Sequence, residues 1–313
     1  MKPLFVNEPA LGTWSYDRKD WGGQEDAASL GAIIAAFDSG LRKIDTAYAY
    51  GNGHSETLLT RALGSQLERC FVASKLGPKG KEVNFFRGIE ASLRRLKLER
   101  IDLFYLHWPS SRIELRPSLD ALGNARERGL VRYIGVCNCP PRLLAGLHAH
   151  VSLDAVQDGY NLVWRKPEAG VIEFCRRNGI GFEAYSPLAQ GVLVRTAPDT
   201  AGYAPGDKRK TLLFNSPSVY TAVRTAVKEV HRIAEKWGIS PLTAAYGWLT
   251  SREGVNSVIL GFRNSRQLKE GLEAYYAPVP PAALKELDRA SDDLAKIIDS
   301  AFPGYTNFFG YRP

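Results

Sequence analysis

Eight short β-rich runs recur along this chain, each leading into a stretch with helical periodicity, and this alternation limits the fold more than any other feature. The runs are PALGT (9–13), LRKIDT (41–46), CFVASK (70–75), IDLFYLH (101–107), VRYIGVC (131–137), DAVQDGY (154–160), IGFEAYS (180–186) and NSVIL (256–260). Between them lie helix candidates. In DAASLGAIIAAFDSG (26–40), the spacing predicts one face made of Ala27, Leu30, Ile33, Ile34 and Phe37, with Gly40 as the stop. Further candidates are GIEASLRRLKL, SLDALGNARERGL, AGVIEFCRRNG and VRTAVKEVHRIAEKWG, the last two ending at a glycine placed to cap a helix C-terminus. Strand then helix, eight times over, predicts an α/β fold of the (β/α)8 TIM-barrel kind. An open doubly wound sheet would want a G-x-G-x-x-G turn after an early strand. YGNGHSE has no third glycine in place and follows the second strand.

The 313 residues, 44% of them hydrophobic, suffice for one barrel domain over 1–313. A formal net charge of +8 suits anionic ligands. The basic residues are scattered on amphipathic segments among 33 acidic ones, without the interleaved basic and aromatic stretches of a nucleic-acid surface, so no nucleic-acid partner is expected. Cys70, Cys137, Cys139 and Cys175 show no C-x-x-C spacing and no flanking histidines, which argues against a zinc site or disulfide framework and for a reduced, cytoplasmic setting. The N-terminus lacks the apolar core of a signal peptide, and no run of eighteen apolar residues occurs, so no membrane association is expected. The expected state is a monomer or weak oligomer.

Two segments break the rhythm. The Gly- and Pro-rich stretch at 186–217 follows the seventh strand and reads as a lid or a disordered insertion on the catalytic face. The tail AFPGYTNFFGYRP (301–313) is too aromatic to hang free and is expected to pack on the barrel wall or on a ligand.

Barrel enzymes place their sites at the C-terminal ends of the strands. The ends of runs two, three and four read Asp45, Lys75 and His107, with Tyr50 in the loop after Asp45. One such residue alone would pass as a structural ion pair or a core histidine. Four together are costly to bury without a purpose. A tyrosine hydroxyl is a sluggish acid at its ordinary pKa of about 10, but an adjacent Lys75 ammonium would lower that value while Asp45 keeps Lys75 charged and fixed. A neutral His107 would hold a substrate oxygen near the hydroxyl. Such a set protonates a carbonyl oxygen. It contains no serine or cysteine nucleophile, no carboxylate pair and no metal-ligand spacing, so the attacking group comes from elsewhere, and a nicotinamide hydride fits.

At this point the sequence resembles the aldo-keto reductases. The resemblance rests on LGTW (11–14), IDTAYAYG, VASK, YLHWP, IGVCNC, VQDGYNL, AYSPLAQGVL and VILGFRNSRQLKEG, and so covers nearly the whole chain. It implies Asp45, Tyr50, Lys75 and His107 as the catalytic tetrad of a reductase that converts aldehydes or ketones to alcohols, or the reverse. It implies NADPH (NADP+) as coenzyme and leaves NADH open. Coenzyme contacts implied are Thr13 and Trp14 on the first strand-to-helix turn, Asn138 and Gln157 on the carboxamide, and Tyr185 against the nicotinamide ring. Ser186, Leu188, Gln190 and Gly191 would cradle the pyrophosphate, and Gly261, Phe262, Arg263, Asn264, Gln267 and Glu270 would hold the adenosine end, where Arg263 suits a 2′-phosphate. Two departures stand out: the family's usual VSN is VCN at Cys137, and its usual EN is Glu270 followed by Gly271.

Trp14, Trp21 and Trp108 match or neighbour the positions that wall the family's pocket, and apolar walls round one polar centre suit small-molecule carbonyl or alcohol substrates. Two other classes stand beside this one. The first is a nicotinamide-binding regulatory or sensor subunit with little turnover. The second, a metal-dependent barrel hydrolase, would want an H-x-H pair on the first strand, and PALGT has none.

Overall fold

The computed structural model describes residues 4, 8–195, 203 and 206–310. Eight parallel strands, β1 (Glu8–Gly12), β2 (Lys43–Asp45), β3 (Phe71–Leu76), β4 (Ile101–Leu106), β5 (Val131–Cys137), β6 (Ala155–Gly159), β7 (Gly181–Tyr185) and β8 (Ser257–Gly261), close in sequence order into a barrel. Every run read as a strand from the sequence is one, to within two residues at either end. The helices that follow are α1 (Asp26–Asp38), α2 (His54–Leu63), α3 (Glu82–Leu96), α4 (Arg116–Glu127), α5 (Pro141–Val151), α6 (Val171–Asn178), α7 (Tyr220–Lys236), α8 (Pro241–Thr250), α9 (Ser265–Tyr276) and α10 (Pro281–Ala301).

Because alternate strand residues face in and out, the core divides in two. Outward residues such as Ile44, Val72, Phe104, Val136 and Phe182 pack against the helices. A small separate cluster of Ala73, Leu103, Tyr105, Cys137 and Ala155 fills the barrel interior. The Tyr105 ring fits there only because position 135 lacks a side chain: a Cβ on Gly135 would sit 2.3 Å from the ring.

Helix α1 corrects one expectation. Its buried face is Ser29, Ala32, Ile33, Ala36 and Phe37, whereas Ile34 is 43% exposed and Ala27 faces solvent. Small residues let the helix lie close to its neighbours, so the contact line runs along Ala32 and Ala36, with Leu30 packed at its edge and the larger Ile34 left outside it. The capping glycines behave as read, with Gly179 and Gly238 both at positive φ just past α6 and α7. His148 and His150 lie in the last turns of α5.

Among its described residues the stretch after β7 contains three short 3₁₀ turns, Ala189–Gly191, Lys208–Thr211 and Leu213–Asn215; residues 196–202 and 204–205 lie outside the described residues, as do 311–313 of the tail. The second turn docks across the barrel mouth onto the loop after β1. There Lys208 N–H donates to Asp20 O at 3.0 Å, the Lys208 ammonium pairs with the Asp20 carboxylate, and Arg209 lies over the Trp21 ring. Among the described residues, no helix is long and apolar enough to cross a membrane.

Candidate active site

The C-terminal strand ends open on a cavity of about 960 Å³. Asp45, Tyr50 and His107 line it, and Lys75 is fully buried behind them. The Lys75 ammonium has three N–H donors, and each finds an acceptor: the Asp45 carboxylate, Thr46 O at 2.9 Å and the Tyr50 hydroxyl at 3.2 Å. The His107 ring stands edge-on to Tyr50 with centroids 6.1 Å apart. The four residues singled out at strand ends therefore converge on one point.

Burial sets the protonation states. It opposes the charge on Lys75, but Asp45 and the surrounding groups outweigh it and hold the ammonium above its ordinary range. Burial lifts the Asp45 carboxyl, with Lys75 pulling the other way. The same burial, reinforced by the Lys75 charge, pulls His107 well below 6.5, which keeps the imidazole neutral. Tyr50 departs from the expectation. Burial pushes its hydroxyl above 10 and outweighs Lys75, which acts in the expected downward direction. The phenol thus keeps its proton, and Lys75 only limits the cost of losing it.

Beneath the tetrad lies a second ion pair that the sequence reading did not single out. Lys43 pairs with Glu183 inside the barrel and donates to Ser257 Oγ at 2.9 Å. Glu183 also accepts from the Tyr105 hydroxyl and from Gln157 Nε2 at 3.3 Å. Burial disfavours the Glu183 charge, yet Lys43 and these donors hold its pKa below the ordinary value. Burial lowers Lys43, against the pull of Glu183. Period-two alternation was the available signal: Lys43 lies two residues before Asp45, and Glu183 two before Tyr185, so each shares its neighbour's inward face.

The expected coenzyme contacts divide. Trp14, Asn138, Gln157, Tyr185, Ser186, Leu188, Gln190, Gly191, Gly261, Phe262, Arg263, Gln267 and Glu270 all line the cavity, and so do Trp21 and Trp108. Thr13 is fully buried and braces the Asp45 backbone instead, its hydroxyl donating to Asp45 O at 3.0 Å. Asn264 caps α9 through Gln267 N–H at 2.9 Å. Gln157 spends its amide donors inward, on Asp45 Oδ2 at 2.8 Å and on Glu183. Trp108, Asn138 and Ser186, which follow β4, β5 and β7, all take positive φ, so the chain turns sharply at three places on the rim. Such conformations cost about 1–3 kcal/mol each and persist where surrounding contacts enforce them.

Further lining residues were missed from the sequence: Asp20, Arg195, Lys208, Arg209, the Ser240–Leu242 start of α8, and Phe309. Phe309 was covered only by the general expectation for the tail. Its ring meets Trp14 and Trp108 at centroid distances of 5.2 and 5.8 Å, which completes an aromatic wall facing Tyr50. The cavity is thus polar at distinct stations, with the Asn138 amide just past β5, the Gln157 amide on β6, and cations from Arg195 to Arg263 toward β8. Arg263 is steered by Gln24 Oε1 at 2.9 Å and Gly23 O at 2.6 Å, and no carboxylate among the described residues forms an ion pair with it.

Comparison with known proteins agrees with this architecture. The model of the Aldo/keto reductase family matches residues 10–292. The chain is 27% identical over 300 residues to "Aldo-keto reductase yakc [NADP(+)]" of Schizosaccharomyces pombe, covering 90% of this chain and 88% of that one. It is 27% identical over 296 residues to the "NADH-specific methylglyoxal reductase" of Escherichia coli, covering 87% and 90%. Among solved structures it is similar to the glycerol dehydrogenase AKR11B4 from Gluconobacter oxydans, with a TM-score of 0.79 at 28% identity over 95% of this chain and 93% of that one.

Proposed function

Since the chain belongs to the aldo/keto reductase family, whose members are oxidoreductases acting on carbonyls, we propose that it is a nicotinamide-dependent reductase of aldehydes or ketones, with NADPH as the preferred coenzyme. The observation that carries the reading is the Lys75 ammonium, which touches both the Asp45 carboxylate and the Tyr50 hydroxyl at the floor of the cavity.

The lining fits a dinucleotide. Asn138 offers an amide and Gln157, whose donors are turned inward, its amide oxygen to a carboxamide, and the ring of Tyr185 stands beside them. The backbone turn at Ser186–Gly191 and the nearby cations suit a pyrophosphate. Arg263, which forms no ion pair with a carboxylate among the described residues, suits a 2′-phosphate. One relative is named for NADP(+) and another for NADH, so relatives at similar identity differ in coenzyme. A reduced nicotinamide bound here would supply a hydride to the carbonyl carbon.

The chain's own residues do the rest. Neutral His107 donates a hydrogen bond to the carbonyl oxygen and holds it against Tyr50. Tyr50 passes its proton to that oxygen, which yields the alcohol. The phenolate left behind faces the Lys75 ammonium, whose charge Asp45 maintains. The aromatic wall of Trp14, Trp108 and Phe309 excludes water and favours substrates with an apolar or ring-bearing body. Oxidation of an alcohol reverses each step.

The sensor-subunit alternative finds no favouring observation. Steady-state consumption of NADPH with a panel of aldehydes and ketones tests the proposal. Turnover that depends on carbonyl concentration is expected. Tight coenzyme binding without turnover on any member of the panel would overturn it.

A further inference from the structure

Asn138 is held from behind by the C-terminal tail, outside the residues that the family model matches. Its Oδ1 accepts from the Tyr185 hydroxyl at 2.6 Å and from Asn307 Nδ2 at 3.2 Å. The direction of this chain of bonds follows from one group that can only donate, the Phe309 backbone N–H, which reaches Asn307 Oδ1 at 3.0 Å. That contact turns the Asn307 amide so that its nitrogen faces Asn138. The Asn138 atom opposite must then be the oxygen. The donor end of the Asn138 amide is left for the cavity.

The tail is placed firmly enough for this. Asn307 and Phe308 are both buried. Phe308 packs against Trp164, Phe214 and Tyr185, and its carbonyl accepts from Leu213 N–H at 2.8 Å. It comes so close to β6 that a Cβ on Gly159 would lie 2.3 Å from its ring. The Tyr305 hydroxyl donates to Asp158 on the same strand.

We propose that Asn307 is a positioning residue for the nicotinamide: by fixing the Asn138 amide with its nitrogen toward the cavity, it presents a donor to the carboxamide oxygen. This rests on the reading above in which Asn138 meets the carboxamide. Without the Asn307 donor only the Tyr185 hydroxyl faces this end of the Asn138 amide, and a hydroxyl accepts as readily as it donates, so the amide can also turn its oxygen toward the carboxamide oxygen. The tail then acts on coenzyme geometry as well as on the substrate wall.

Dissociation constants for NADPH and for adenosine 2′,5′-bisphosphate, which has the 2′-phosphate but no nicotinamide, test the idea in Asn307→Leu, Asn307→Asp and Asn138→Ala. Loss of one oriented hydrogen bond should weaken NADPH by about three- to tenfold in both Asn307 variants while the bisphosphate is held as before. Asn307→Asp keeps the size and the acceptor for Phe309 but cannot donate when ionised, so it decides the matter if the leucine variant folds poorly. Equal losses for the two ligands in the aspartate variant, or no loss for either, would overturn the role of Asn307. If Asn138→Ala also spares NADPH, the underlying reading of Asn138 fails; if it weakens NADPH and Asn307→Asp does not, only the present inference fails.

Discussion

Gln157 donates from Nε2 to Asp45 Oδ2 at 2.8 Å, so this inward side chain of β6 braces the carboxylate whose other oxygen pairs with Lys75. Through Glu183 the same amide joins the tetrad to the Lys43 pair below it. The barrel interior therefore carries two cations and two anions in one hydrogen-bonded set, which is how a site this enclosed tolerates charge.

Gln157→Leu should remove the donor to Asp45 Oδ2 and leave a buried acceptor unsatisfied, at a cost of about 1–3 kcal/mol in stability. Turnover should fall along with it, because Asp45 would then hold Lys75 less rigidly. Urea unfolding and steady-state kinetics on the same preparation check both. A variant as stable and as fast as the parent would show that the contact is incidental.

Lys43→Met leaves Glu183 buried and unpaired, and breaking such a pair typically costs about 3–5 kcal/mol. Lys43→Met combined with Glu183→Gln should be markedly more stable than the single variant, since no lone charge remains. Thermal melts of the parent, the single and the double variant suffice. A double variant no better than the single one would mean that the loss came from packing.

On the proposed mechanism, Tyr50→Phe removes only the proton donor. Turnover should drop by about 10²- to 10⁴-fold with coenzyme binding nearly unchanged. Carbonyl reduction within a few-fold of the parent would place the acid elsewhere.

Arg263→Ala addresses coenzyme choice. A charge-assisted contact to the 2′-phosphate is worth roughly 1.5–3 kcal/mol, so NADPH should weaken by about ten- to a hundredfold while NADH is almost untouched. Titrations of both coenzymes at fixed ionic strength read this out. Equal losses for the two would point to a general effect of the Gln24 and Gly23 contacts on the loop.

Asp158 predicts a pH dependence of stability. Burial raises its pKa from 3.8 to about 7, against the hydrogen bonds from Tyr305 and Gly159 N–H. Between pH values of about 4 and 7 the unfolded chain loses this proton while the folded one keeps it, so this contribution to stability is full in acid and is lost as pH rises through that window. Asp158→Asn cannot titrate. Its stability relative to the parent should therefore improve with rising pH, by at most about 1.4 kcal/mol for each unit. Urea midpoints at pH 5 and pH 8 decide it, and a constant gap between the two proteins would remove Asp158 as the cause.

The strand-helix alternation determined the barrel, because inward and outward faces repeat locally and each strand needs only its own few residues to declare itself. Asp45, Lys75 and His107 were legible for the same reason: they sit at the ends of those runs, and a barrel brings strand ends together whatever the loops do. Tertiary structure decided what depends on the surroundings. The direction of the Tyr50 shift is a contest between burial and a nearby charge, and burial belongs to the whole packed mouth rather than to any motif. The Lys43–Glu183 pair joins residues far apart in the chain, and although each strand shows its inward face, the barrel register alone makes them partners. The same holds for Thr13, whose hydroxyl reaches Asp45 O on the neighbouring strand, whereas Asn264 makes a local cap at the start of α9. Asn307 is a further case, a tail residue 169 positions from the asparagine it orients. Contacts at such separation leave no periodic trace, since nothing in the local pattern of either segment depends on the other until the chain has folded.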